Sequence, residues 1–246
     1  MAKTAGMGDN FYVAGNDLSG DIGSLSRIGG GPAPLDVTGI DKSAPERLGG
    51  LRDGGIDFLA WFNPTGAHPV LSTLPTADVI ASYFRGTTLG NPAACLVAKQ
   101  VNYDGTRGTD GSFSLTTQAL ANGYGVEWGV SLTAGKRTDS TATNGTSVDL
   151  GSASPGAFGL QAWLHVFAFT GTSVTVKIQE SSDNGAGDAF ADVVGGGFTA
   201  ATGITSQRIA TAAINVERYL RVVTTGTFSN AVFAVVATRN ATATVF

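Results

Sequence analysis

Little in this sequence is equipped for chemistry. The 246 residues include one cysteine, Cys95, and two histidines, His68 and His165. A single cysteine excludes an internal disulfide and any multi-cysteine zinc site. Cys95 lies in the run Ala93-Ala94-Cys95-Leu96-Val97, which predicts a small buried residue rather than a nucleophile. His68 precedes Pro69 and reads as a capping or surface residue. His165, within Ala162-Trp163-Leu164-His165-Val166-Phe167, reads as a packed or interface imidazole.

Charge is also scarce. Only 14% of residues are charged, and 15 Lys and Arg against 19 Asp and Glu give a formal charge of -4. Nucleic-acid affinity comes largely from basic side chains neutralising phosphates, so an acidic chain without a basic run makes a poor DNA or RNA binder. No uninterrupted apolar run approaches the ~20 residues a membrane helix needs; Ala231 to Ala237 is seven. The first eight residues lack the apolar stretch of a signal peptide, so synthesis in a cytoplasm is expected.

Motifs for known chemistries fail in detail. Gly129 to Thr138 superficially resembles a phosphate loop, but the glycines at 129 and 135 are one residue too far apart. Arg137 also stands where a magnesium-binding hydroxyl belongs. There is no Gly-x-Ser-x-Gly elbow. The acidic cluster Glu180, Asp183, Asp188 and Asp192 lacks calcium-hand spacing and reads as a turn whose Asp and Asn cap their own backbone. Trp61, Trp128 and Trp163 read as core or subunit contacts, with a sugar platform as the other reading. No catalytic, cofactor or metal site is expected.

What is abundant is glycine, 35 residues scattered between short apolar runs rich in β-branched and aromatic side chains. Ser173 to Gln179 alternates, with Val174, Val176 and Ile178 on one face; Ser112 to Ala119 does the same with Phe113, Leu115 and Ala119. Asp53-Gly54, Asp104-Gly105, Asp110-Gly111, Asn122-Gly123, Asn144-Gly145 and Asn184-Gly185 are expected turns. The chain is therefore all-β, with one short helix near Gly66 to Leu74 and a weaker helix candidate at Ile209 to Val216. Thr133 to Pro155 has the composition of a linker, which divides the chain into residues 1–150 and 156–246.

Leu35-Asp-Val-Thr38-Gly-Ile-Asp41 leading through Gly49-Gly50-Leu-Arg-Asp53-Gly-Gly55 to Phe58 resembles the major tail (tail tube) proteins of long-tailed, non-contractile bacteriophages. Val174 to Gly185 and Glu217 to Val223 are similar to segments accompanying such proteins in phages of actinobacteria, and also resemble galactose-binding-like sandwiches. The resemblance implies a tail-tube-like β-sandwich or barrel domain followed by a second β-sandwich-like region. It implies hexameric rings that stack helically in a virion tail assembled in the host cytoplasm. Partners would be a tape-measure protein and tail completion proteins, with phage DNA passing through unbound and no membrane involved. Ring-to-ring contacts are expected in the N-terminal arm Met1 to Asn10 (Gly6, Met7, Asp9, Asn10) and in a loop at Arg27 to Pro34 (Arg27, Gly29, Gly30, Gly31). Lumen charge is expected from Asp53, Asp57, Asp104 and Asp110. The alternatives are a capsid decoration protein or a virion carbohydrate-binding β-sandwich, with Trp163 or Tyr219 stacking on sugar.

Overall fold

The computed structural model describes residues 5–75 and 77–242; positions 1–4 of the expected arm lie outside the described residues. The chain is all-β. Its strands are Asn10–Val13 (β1), Asn16–Asp17 (β2), Ile22–Asp36 (β3), Arg47–Trp61 (β4), Val79–Phe84 (β5), Pro92–Gln100 (β6), Asp104–Arg107 (β7) and Phe113–Ala121 (β8). They continue with Glu127–Ser131 (β9), Arg137–Asp139 (β10), Val148–Asp149 (β11), Leu160–Ser181 (β12), Ala191–Gly197 (β13), Thr205–Thr211 (β14) and Tyr219–Arg239 (β15). One short helix, Ala67–Leu71 (α1), follows β4 inside the segment expected to be helical.

Two compact units result. The larger holds the chain up to Gly20, Ile80–Cys95 and Glu127–Phe246; the smaller holds Asp21–Val79 and Leu96–Val126.

The larger unit is organised on β12 and β15, which pair antiparallel from Leu160 opposite Arg239 to Ser181 opposite Tyr219. β13 and β14 line the free side of β12, and β9, β10 and β11 line that of β15. The alternation at Val174, Val176 and Ile178 is realised, and all three are buried with Leu160, Leu164, Leu220, Phe233 and Val235 in one core. Downstream of Phe158 the short apolar runs of the sequence are thus joined into the long strands β12 and β15. Register shifts between Val166 and Ser173 explain this, because a bulge lets a strand bend without ending. Gly171 sits there at φ 153, and a Cβ on it would lie 2.4 Å from the Phe228 Cα.

Thr133 to Pro155 lies within this unit rather than between two. β10 and β11 pair with β15, and the polar side chains satisfy buried groups. Arg137 binds both oxygens of Asp139 at 2.8 Å and donates to the Val222 carbonyl at 2.8 Å. The Thr224 hydroxyl donates to Asp139 at 2.7 Å. Ile209 to Val216 is not helical: β14 pairs with β12, placing Ile209 opposite Ala162, so sheet pairing overrides local propensity.

The smaller unit contains an antiparallel sheet in the order β3-β4-β8-β7, and past β7 the same side of β8 pairs with the end of β6, Ala98 to Gln100 opposite Ala121 to Ala119. Ile56, Phe58 and Ala60 of β4 and Leu115, Thr117 and Ala119 of β8 are buried on one face. The Asp21 carboxylate accepts from Asn63 at 2.9 Å and from the Ala67 backbone N–H at 2.8 Å, fixing the start of α1. Of the six expected turns, Asp110-Gly111, Asn122-Gly123 and Asn184-Gly185 place a glycine at positive φ. Asp53-Gly54 and Asp104-Gly105 instead lie inside strands.

Candidate assembly interface

The expected loop at Arg27 to Pro34 is strand. Gly29, Gly30 and Gly31 pair with Gly55, Gly54 and Asp53, and the pairing continues to Asp36 opposite Arg47. Gly30 is required by close approach, since a Cβ there would lie 2.1 Å from the Asp53 carbonyl oxygen; at Gly29 and Gly31 a Cβ would meet nothing. Pro32 and Pro34 are tolerated because only one side of β3 is paired.

β8 pairs with β4 only from Gly55 to Trp61, so beyond Gly55 the ribbon is two-stranded. Eight residues at the strand rise make an arm of roughly 25 Å. Its tip is ordered locally: the Asp36 carboxylate accepts from the Thr38 N–H at 2.9 Å, and the Thr38 hydroxyl accepts from the Glu46 N–H at 2.9 Å. Lys42 stands 3.6 Å from Glu46.

The arm exposes Leu35, Val37, Ile40, Leu48 and Leu51, with Leu51 at 89%. Leu35 and Leu48 are cross-strand partners and form one apolar step. Each large apolar side chain left in water forgoes about 1.5–3 kcal/mol of burial, so a cluster on a narrow ribbon marks a contact surface. These five side chains were not among the expected contact residues. The available signal was a set of large apolar residues interspersed with Gly, Pro and charges and lacking any period.

At the base of the arm, the sheet has a polar face opposite its buried one. Cross-strand pairing puts Arg27 beside Asp57, Asp57 beside Gln118, and Leu59 beside Thr116, which pairs with Asp104. Asp53 is two steps from Gly55 and four from Asp57 on β4, so Asp53, Asp57 and Asp104 share this face. Asp57 is half-buried, and its Oδ1 has no hydrogen-bond partner among the described residues. Asp110 is set apart in the β7–β8 turn, where Ser112 donates to it through its hydroxyl at 2.7 Å and its N–H at 3.0 Å. Those bonds hold the Asp110 carboxyl below its ordinary range.

Two of the N-terminal candidates, Asp9 and Asn10, are tethered. Asp9 accepts from the Tyr83 hydroxyl and stands 3.3 Å from the Arg85 guanidinium. Burial first, and then that bond, push the Tyr83 phenol upward. Asn10 begins β1 opposite Phe84. Gly6 and Met7 are exposed, Met7 at 90%.

The remaining candidates are embedded or engaged. The Gly15 N–H donates to His165 Nδ1 at 3.2 Å, leaving the ring proton on Nε2, 2.9 Å from the Ser82 hydroxyl; that hydroxyl donates to Cys95 at 3.2 Å. In this tautomer Nε2 donates, so it cannot take a proton from Ser82 as a general base. All three side chains are buried, and burial pushes the Cys95 thiol up to about 12. Trp163 is buried and cannot stack on a sugar, while the Arg218 guanidinium lies 4.9 Å from the Tyr219 ring centre. Trp61 and Trp128 are about half exposed rather than core. Asp183 accepts the N–H groups of Ala186, Gly187 and Asp188, as a self-capped turn does. His68 Nδ1 lies 2.7 Å from the Tyr103 hydroxyl. A pocket of about 310 Å³ is lined by Leu89, Leu132, Arg137 and Asn144, with its Arg137 committed to Asp139. No helix among the described residues is long and apolar enough to cross a membrane, and no group of three His, Cys, Asp or Glu there could hold a metal.

No family model matches the sequence, and no curated protein does. Among solved structures the chain is similar to SPP1 Dit (gp 19.1), described as a paradigm of hub adsorption apparatus in Gram-positive infecting phages. The TM-score is 0.34 and the identity 12%, over 94% of this chain and 99% of that one. It is also similar to a chain of the phage p2 baseplate in its activated conformation with Sr, with TM-score 0.33 and identity 10%, over 95% and 99%.

Proposed function

We propose that this chain is a structural, non-enzymatic virion protein, a tail-tube subunit of a non-contractile phage that polymerises into stacked rings around the path of the genome. The observation carrying this reading is the β3-β4-β8-β7 sheet: among the described residues its two outer strands each pair on one side only, and it bears a projecting apolar arm.

Each neighbour in this sheet is antiparallel, so β3 and β7 run in opposite directions. Copies related by rotation then bring β7 of one beside β3 of the next in antiparallel sense, and an even-stranded repeat can close into a continuous ring. Edges that are otherwise an aggregation hazard become the means of assembly. The polar face with Asp53, Asp57 and Asp104 suits a lumen, because carboxylates repel phosphates and let DNA slide. The arm supplies contacts along the open, stacking direction. A tape-measure protein would occupy the bore before DNA does.

Electron microscopy of the purified full chain tests this reading. Rings or tubes of constant bore are expected; a uniformly monomeric protein at all concentrations contradicts it.

A further inference from the structure

We propose that neighbouring copies recognise each other through opposite charges at the two open edges of the sheet, Arg27 on β3 of one copy against Asp104 on β7 of the next. This rests on the ring-forming reading above and names the residues that set its partner and register.

Both side chains are exposed. No ion pair is found for either among the described residues, and Asp104 accepts only from Asn102, at 2.7 Å. They stand on opposite edges of the sheet, so within one chain they are separated by β4 and β8. They nevertheless share its polar face, Arg27 through its partner Asp57 and Asp104 through Thr116 and Leu59.

The row containing Asp104 runs through Thr116 and Leu59 to Ser24. When β7 of one copy lies beside β3 of the next without stagger, Asp104 therefore faces Ser24. The next β3 side chain on that face, beyond the irregularity between Leu25 and Arg27, is Arg27. A diagonal neighbour of this kind lies about 7–8 Å away between backbones, within reach of an arginine side chain. Joining edges of one kind, β3 to β3 or β7 to β7, would place like charges together, so the pair also disfavours closed dimers.

The test is a charge swap in the full chain, read by native mass spectrometry and sedimentation at low and moderate salt. Arg27→Glu alone and Asp104→Arg alone should each raise the concentration needed for ring assembly about tenfold. The double variant should return it to within about threefold of wild type. Thermal unfolding of the dilute subunit should be unchanged, since both residues are exposed. If wild type forms rings and the single reversals assemble as it does, or the double variant is no better than the singles, the pairing is wrong. If wild type itself never assembles, the ring reading fails and the pairing with it.

Discussion

The imidazole of His165 receives the backbone N–H of Gly15 on Nδ1, 3.2 Å away, in a site buried from solvent. Desolvation lowers its pKa to about 3. The unfolded chain, with an ordinary value near 6.5, therefore binds a proton that the folded chain refuses. This contribution is fully present above about pH 6.5 and is lost as pH falls toward 3, at up to ~1.4 kcal/mol per pH unit. Urea unfolding at pH 7, 6 and 5 should show the loss, and His165→Asn should flatten it between pH 6.5 and 5.

Arg137 and Asp139 form a largely buried ion pair within β10, and each is also bonded to β15, Arg137 to the Val222 carbonyl and Asp139 to the Thr224 hydroxyl. Arg137→Ala leaves the Asp139 carboxylate unpaired and should cost about 3–5 kcal/mol, a fall in Tm of order 10 °C. Arg218→Ala breaks an exposed pair with Asp149 and should cost less than about 1 kcal/mol. Scanning calorimetry of the two variants separates them.

At Gly30 even alanine should open the arm, because its Cβ meets the Asp53 carbonyl. Hydrogen exchange at 31–36 and 47–53 should accelerate in Gly30→Ala and stay near wild type in Gly31→Ala. Core strands β12 and β15 should keep their protection in both.

Ile40 and Leu51 are exposed on the arm, so Ile40→Asp and Leu51→Asp should leave the subunit's stability within about 0.5 kcal/mol of wild type. Their effect should appear in stacking: isolated rings should persist while tubes are lost, as counted on electron micrographs.

The larger unit's core was legible where a strand has one wet and one dry face, as at Val174, Val176 and Ile178. Asp-Gly and Asn-Gly pairs were ambiguous because glycine serves both positive φ and close approach; Gly111 uses the first and Gly30 the second. Thr133 to Pro155 looked like a linker because its bonds to β15 run through Arg137, Asp139 and backbone groups, none of which produce an apolar pattern. Ile209 lies in a strand because its sheet partner Ala162, distant in sequence, decides its conformation. Three of the four acids expected in a lumen share one face, but Asp110 is a turn cap. The arm's apolar side chains leave no pattern in the sequence because a two-stranded ribbon with water on both faces imposes no periodicity.

Copies of the chain are proposed to form rings through the open edges of the β3-β4-β8-β7 sheet. Cryo-electron microscopy of the assembled full chain tests it most directly. The predicted result is a closed ring whose wall is one continuous antiparallel sheet, with β7 of each copy beside β3 of the next and Asp53, Asp57 and Asp104 facing the bore. Rings in which β3 and β7 remain unpaired, or a chain that stays monomeric at every concentration, would contradict it.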